Sequence, residues 1–127
     1  INTPGVIALG AGIDFVVKKG IDKIRKHEDT LCKILLDEIA DNDKITVYRN
    51  NECANAPVIS FNIKSFSSEE LAAKLSDKGF CLRGGLHCAF LAHSRLGTLN
   101  RGAVRFAPSY YNTAAEVYEF AATLNRI

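Results

Sequence analysis

The chain has 127 residues, 47% of them hydrophobic and 24% charged, the balance of one ordinary globular domain. A formal net charge of +2 is too small to point to nucleic acid or an anionic membrane as partner. No apolar run approaches the ~18 residues of a membrane span. The four cysteines, Cys32, Cys53, Cys81 and Cys88, match no CxxC metal or redox spacing. A domain of this size and aliphatic content needs no covalent staples, so reduced thiols and a cytoplasmic location are expected. The chain contains no Met and opens abruptly at Ile1-Asn2-Thr3-Pro4-Gly5, which is read as a piece of a longer protein.

Pro4-Gly5 introduces apolar residues at Val6, Leu9, Ile13 and Val16 or Val17, a helical spacing of three and four. Lys18-Lys19-Gly20 reads as its end. A second helix is expected from Ile21 to Ala40, with Ile21, Ile24, Leu31, Leu35 and Ile39 as its apolar stripe. On this reading His27 and Glu28 fall on the solvated face, Cys32 among core neighbours. Ile45 to Tyr48 reads as a short strand, 49–56 as a polar loop that includes Cys53, and Pro57 to Ile63 as a stronger strand. Ser67 and Glu70 have capping-box spacing for a helix from Ser68 to Lys78, closed by Gly79. A brief strand at Phe80 to Arg83, a loop from Gly84 to Gly102 and a last strand at Ala103 to Phe106 follow. Thr113 and Glu116 open a final helix to about Arg126 with a second capping box. This order predicts an α/β fold of the two-layer kind, a small mixed sheet with helices on one face.

Two segments could carry chemistry. In Arg83-Gly84-Gly85-Leu86-His87-Cys88-Ala89, two glycines permit a tight backbone turn ahead of a His-Cys pair. A thiol attacks only as thiolate, and Arg83 and His87 could supply the positive potential that favours it. A buried structural cysteine on a glycine turn fits these residues as well. A zinc site from Cys81, His87, Cys88 and His93 is disfavoured, because the adjacent His87 and Cys88 point apart and no second ligand pair has finger or ribbon spacing; no metal is expected. His93 itself reads as a surface residue of a polar loop. The second segment is Ala103-Val104-Arg105-Phe106-Ala107, followed by Pro108 to Thr113. A lone Arg in an apolar strand calls for a partner. A carboxylate gripped by two hydrogen bonds and an internal ion pair are both open.

These blocks, with Asn2-Thr3-Pro4-Gly5-Val6 and Leu9-Gly10-Ala11-Gly12, resemble the carboxy-terminal part of class V aminotransferase-like enzymes, specifically cysteine desulfurases of the SufS and selenocysteine-lyase type. The Arg83 to Ala89 block is similar to that family's Arg-x-Gly-x-His-Cys-Ala motif, and Arg105 with Tyr111-Asn112-Thr113 to its Arg…Tyr-Asn-Thr block. The resemblance implies the small domain of a fold-type-I pyridoxal-phosphate enzyme, with 1–20 as an interdomain helix and 21–127 as the domain proper. It implies that Cys88 takes sulfur from L-cysteine as a persulfide for an acceptor protein. Arg105 would bind the substrate carboxylate, with Arg83 assisting and His87 in support. Pyridoxal 5'-phosphate would be held by a large domain that carries the Schiff-base lysine, in a dimeric parent, with no cofactor ligand in this chain. An aminotransferase, a selenocysteine lyase and a non-catalytic sulfur-accepting or interaction module are the rivals. Gly84, where the family usually has Ala or Thr, is expected to loosen the Cys88 loop. Ala107-Pro108 departs from a Ser-containing stretch.

Overall fold

Asn2 begins the first helix, its Oδ1 accepting a hydrogen bond from the Gly5 amide at 3.0 Å, and Pro4 suits the first turn, where a missing N–H costs nothing. The computed structural model describes residues 1–50 and 55–127; the expected loop position of Cys53 lies outside them. Helix α1 spans Thr3–Lys19 and α2 spans Ile21–Glu38, separated by Gly20 at φ 86°. Strand β1 (Ile45–Tyr48) and strand β2 (Ile59–Ile63) precede α3 (Ser68–Ser76), α4 (Phe90–Leu96), β3 (Val104–Phe106) and α5 (Ala114–Asn125). The sheet order is β1-β2-β3, and both pairs are antiparallel where a mixed sheet was expected.

Alternation along β2 builds the two faces. Ile59, Phe61 and Ile63 are fully buried and meet Leu31, Leu35, Leu71, Leu75, Val117, Phe120 and Leu124 from the helices, which gives the two-layer α/β fold expected of the sequence. On the opposite face Tyr48 pairs across Ser60, Ser60 across Arg105, and Arg105 across Arg83, so one row of polar residues crosses the sheet. Beside it, the buried Asn62 amide donates to the Gly102 carbonyl at 2.8 Å. Both capping boxes form: Ser67 with Glu70 at α3, and Thr113 with Glu116 at α5.

Three expectations are corrected. The strand at Phe80 to Arg83 is reduced to a single bridge between Arg83 and Arg105. The reason lies at the end of α3, where Gly79 adopts φ 89° and the Phe80 amide closes back on the Leu75 carbonyl at 3.0 Å. That helix-ending motif uses the amide a ladder would need, and the Phe80 ring packs on Phe120. Secondly, the loop from Gly84 to Gly102 contains α4, whose run of good helix formers ends at Gly97 in the left-handed region (φ 69°). Its His93 is buried, not at the surface, because Nδ1 bonds the Thr98 hydroxyl at 2.8 Å. Thirdly, His27 is half-buried, not solvated: its Nε2–H donates to the Asn112 carbonyl at 2.9 Å, and its ring lies against Tyr110.

Candidate active site

Arg83 and Arg105 are directly opposed on one face of the sheet edge, the Arg105 amide donating to the Arg83 carbonyl at 3.0 Å. The lone Arg of β3 is solvent-exposed, because alternation turns Val104 into the core and Arg105 out of it. Among the described residues neither guanidinium has a carboxylate or hydrogen-bond partner, and the ion pair found there is Arg25 with Asp29. An internal ion pair therefore does not account for Arg105. Like charges set directly opposite each other on a sheet repel, and an anion between them relieves that cost. Both arginines line a cleft of about 710 Å³ together with Cys81, Pro108, Asn112 and Glu116. The Glu116 carboxylate is already engaged by the amide of Thr113 and by Asn112, which together hold it below the usual carboxylate range.

Cys88 is exposed, which removes the buried-cysteine reading, and it is not among the residues lining that cleft. The path to it leaves the sheet at Gly85, which exchanges two backbone hydrogen bonds with Ala103, at 3.2 and 3.1 Å. His87 and Cys88 then adopt φ 50° and 59°, and the Ala89 amide bonds the Leu86 carbonyl at 2.8 Å. Two successive left-handed residues under an i to i+3 bond have the character of a type I′ turn, a conformation dominated by Gly, Asn and Asp. For His and Cys it costs on the order of 1–3 kcal/mol per residue, the kind of strain that collects at functional sites. His87 Nε2 lies 2.9 Å from the Ala103 carbonyl and donates to it.

Two glycines let this turn sit where it does. A Cβ on Gly84 would stand 2.2 Å from the Ser68 carbonyl oxygen, and one on Gly102 would stand 2.8 Å from the Gly85 backbone. Gly84 therefore permits close packing on the start of α3, in place of the expected loosening. Arg101, which the sequence reading passed over, fixes the same region by donating to the carbonyls of Ile63 and Phe66 at 2.8 and 2.9 Å. Its signal in the sequence is slight, a lone Arg between polar loop residues.

The other thiols differ. Cys32 is 4% exposed, and burial pushes its thiol up to about 11, which rules it out as a nucleophile near neutral pH. Cys81 is exposed, and Cys32, Cys81 and Cys88 are all free. Among the described residues no three His, Cys, Asp or Glu side chains converge as metal ligands. A pyridoxal phosphate would need a lysine amine in a sequestered pocket, and every lysine of this chain is exposed. The residues present do not form the cofactor's cradle.

The chain is similar to known proteins over nearly its whole length. The model of the aminotransferase class-V family matches residues 1–120. A cysteine desulfurase of Salmonella agona is 34% identical over 126 residues, covering 99% of this chain and 30% of that protein. The apo structure of a cysteine desulfurase from Thermococcus onnurineus NA1 superposes with a TM-score of 0.91 at 30% identity, over 98% of this chain and 31% of that one. The Escherichia coli cysteine desulfurase CsdA in its S-sulfonic acid form shares the fold, with a TM-score of 0.88 at 23% identity over 99% of this chain and 30% of that one. The chain thus spans about 30% of the length of the curated relatives it matches. On the strength of the family match, which runs from α1 into α5, the chain belongs to the aminotransferase class-V family.

Proposed function

We propose that this chain is the carboxy-terminal small domain of a pyridoxal-phosphate-dependent cysteine desulfurase, with residues 1–20 as the helix between domains and 21–127 as the domain proper. The observation that carries the reading is the exposed Cys88 thiol on a strained left-handed turn. The unpartnered guanidiniums of Arg83 and Arg105 support it. They suit the carboxylate of an amino acid, which a guanidinium holds through two parallel hydrogen bonds. Arg105 holds the substrate carboxylate and Arg83 neutralises it from the facing bridge position. The short Arg83 to Ala89 segment and its His-Cys-Ala ending support the SufS and selenocysteine-lyase branch.

Pyridoxal phosphate, bound by the rest of the enzyme, supplies the electron-withdrawing ring on which such chemistry depends. The part of this chain is nucleophilic. Cys88 thiolate attacks the sulfur of bound L-cysteine and an S–S bond forms. The carbon–sulfur bond breaks with its electron pair remaining on carbon, which takes up a proton and leaves as L-alanine. A persulfide is left on Cys88, exposed for transfer to an acceptor protein. The enzyme would act as a dimer in the cytoplasm.

The test uses the complete polypeptide with its cofactor. Cys88→Ala abolishes sulfur transfer from L-cysteine. Arg105→Ala raises the KM for L-cysteine by one to two orders of magnitude, as expected for losing hydrogen bonds to a charged group of about 1.5–3 kcal/mol. An unchanged transfer rate in the Cys88 variant overturns the assignment.

A further inference from the structure

We propose that His87 is a positioning residue that ties the Cys88 turn to the strand carrying Arg105, and that it acts through one hydrogen bond from Nε2. This inference rests on the function proposed above for Cys88 and Arg105.

The turn needs such a tie. His87 and Cys88 both sit at positive φ, and the helix that follows has no side-chain cap at Ala89. Without an external restraint the two residues would relax toward the right-handed or extended regions, which L-residues prefer. That change would re-aim the Cys88 side chain. The restraint observed is the Nε2–H of His87 on the Ala103 carbonyl at 2.9 Å. A carbonyl oxygen only accepts, so the proton is on Nε2.

The acceptor is well placed. Ala103 is 1% exposed and lies just ahead of β3, two residues before Arg105. Its carbonyl also accepts from the Gly85 amide at 3.2 Å. Two donors on one oxygen thus fix the start and the middle of the segment from Gly85 to Cys88 to β3. The backbone of the Cys88 turn is thereby tied, through one carbonyl, to the chain that leads into Arg105.

The other ring nitrogen narrows the role. Nδ1 of His87 is buried and has no hydrogen-bond partner. The ring therefore reaches the protein's polar groups through Nε2 alone, and its contribution is directional rather than that of a relay. Gln can present an amide N–H at about the position of Nε2, and Leu cannot.

The experiment compares His87→Gln and His87→Leu in the complete polypeptide with pyridoxal phosphate bound. Two readouts are taken: steady-state alanine release from L-cysteine, and hydrogen exchange of the Gly85 and Ala89 amides. The Leu variant should lose tenfold or more in kcat with KM changed less than twofold, because the guanidinium grip is untouched. Its Gly85 and Ala89 amides should exchange at least tenfold faster. The Gln variant should recover kcat to within threefold and restore protection. Equal impairment of both variants, or wild-type kcat and exchange in the Leu variant, overturns the proposal. The exchange measurement does not depend on turnover. Protection lost in Leu and restored in Gln, in a protein that releases no alanine from cysteine, would keep the tether and refute the desulfurase reading.

Discussion

At the scale of single residues, the site depends on where a side chain is absent as much as where one is present. Gly84 touches the Ser68 backbone so closely that a methyl group cannot be added without moving α3 or the turn. Overpacking of this kind costs about 1–3 kcal/mol. Gly84→Ala should therefore lower the unfolding free energy read from chemical denaturation by that amount, and an unchanged free energy would show that the loop yields freely. Arg83, Cys88 and Arg105 stand out in the sequence by residue type and order, and the structure leaves all three exposed. The burial of His93 and the Asn112 contact of His27 were not legible, since each depends on a partner 5 and 85 positions away respectively. His27 lies among charged neighbours and His93 beside the polar Ser94 and Arg95, so local composition pointed to solvent in both cases.

At the scale of elements, the two capping boxes were legible because they are local: each closes over three residues. They also set an acid sensitivity. The Ser67 amide holds Glu70 below the usual carboxylate range, and the Thr113 amide does the same to Glu116. A carboxylate lowered by folding stabilises the fold fully above its unfolded value of about 4.3, and that contribution is lost as pH falls through the lower folded value. The chain should lose stability below about pH 4.3, and the double variant Glu70→Gln, Glu116→Gln should show a shallower acid limb in denaturation series. Identical limbs would contradict the assignment. The elements that escaped the sequence are those decided by competition. The Phe80 to Arg83 segment has strand composition, yet the end of α3 claims the Phe80 amide. Helix α4 was hidden because it has only seven residues and its Phe90, Leu91 and Leu96 do not recur at a spacing of three or four.

At the scale of the whole molecule, α1 buries none of its residues, and Val6, Ile7, Leu9, Ile13 and Val17 are all more than half exposed. Its far end is held by Phe15, which stacks on Tyr111 at 5.6 Å and meets Tyr110 edge-on at 5.8 Å. An apolar face of this extent suits packing against further protein, in keeping with the role proposed for residues 1–20. The fold class was legible from element order, whereas the row from Tyr48 through Ser60 and Arg105 to Arg83 required the strand register.

The central claim is that sulfur passes onto residue 88. The most direct measurement is a single turnover of the cofactor-loaded, complete polypeptide with L-cysteine, followed by mass spectrometry of alkylated peptides under non-reducing conditions. The peptide containing Cys88 should gain the mass of one sulfur atom, and the Cys88→Ala protein should gain none on any peptide. Added sulfur on Cys81 or Cys53 with Cys88 unmodified, or no added sulfur while alanine is released, would contradict the account.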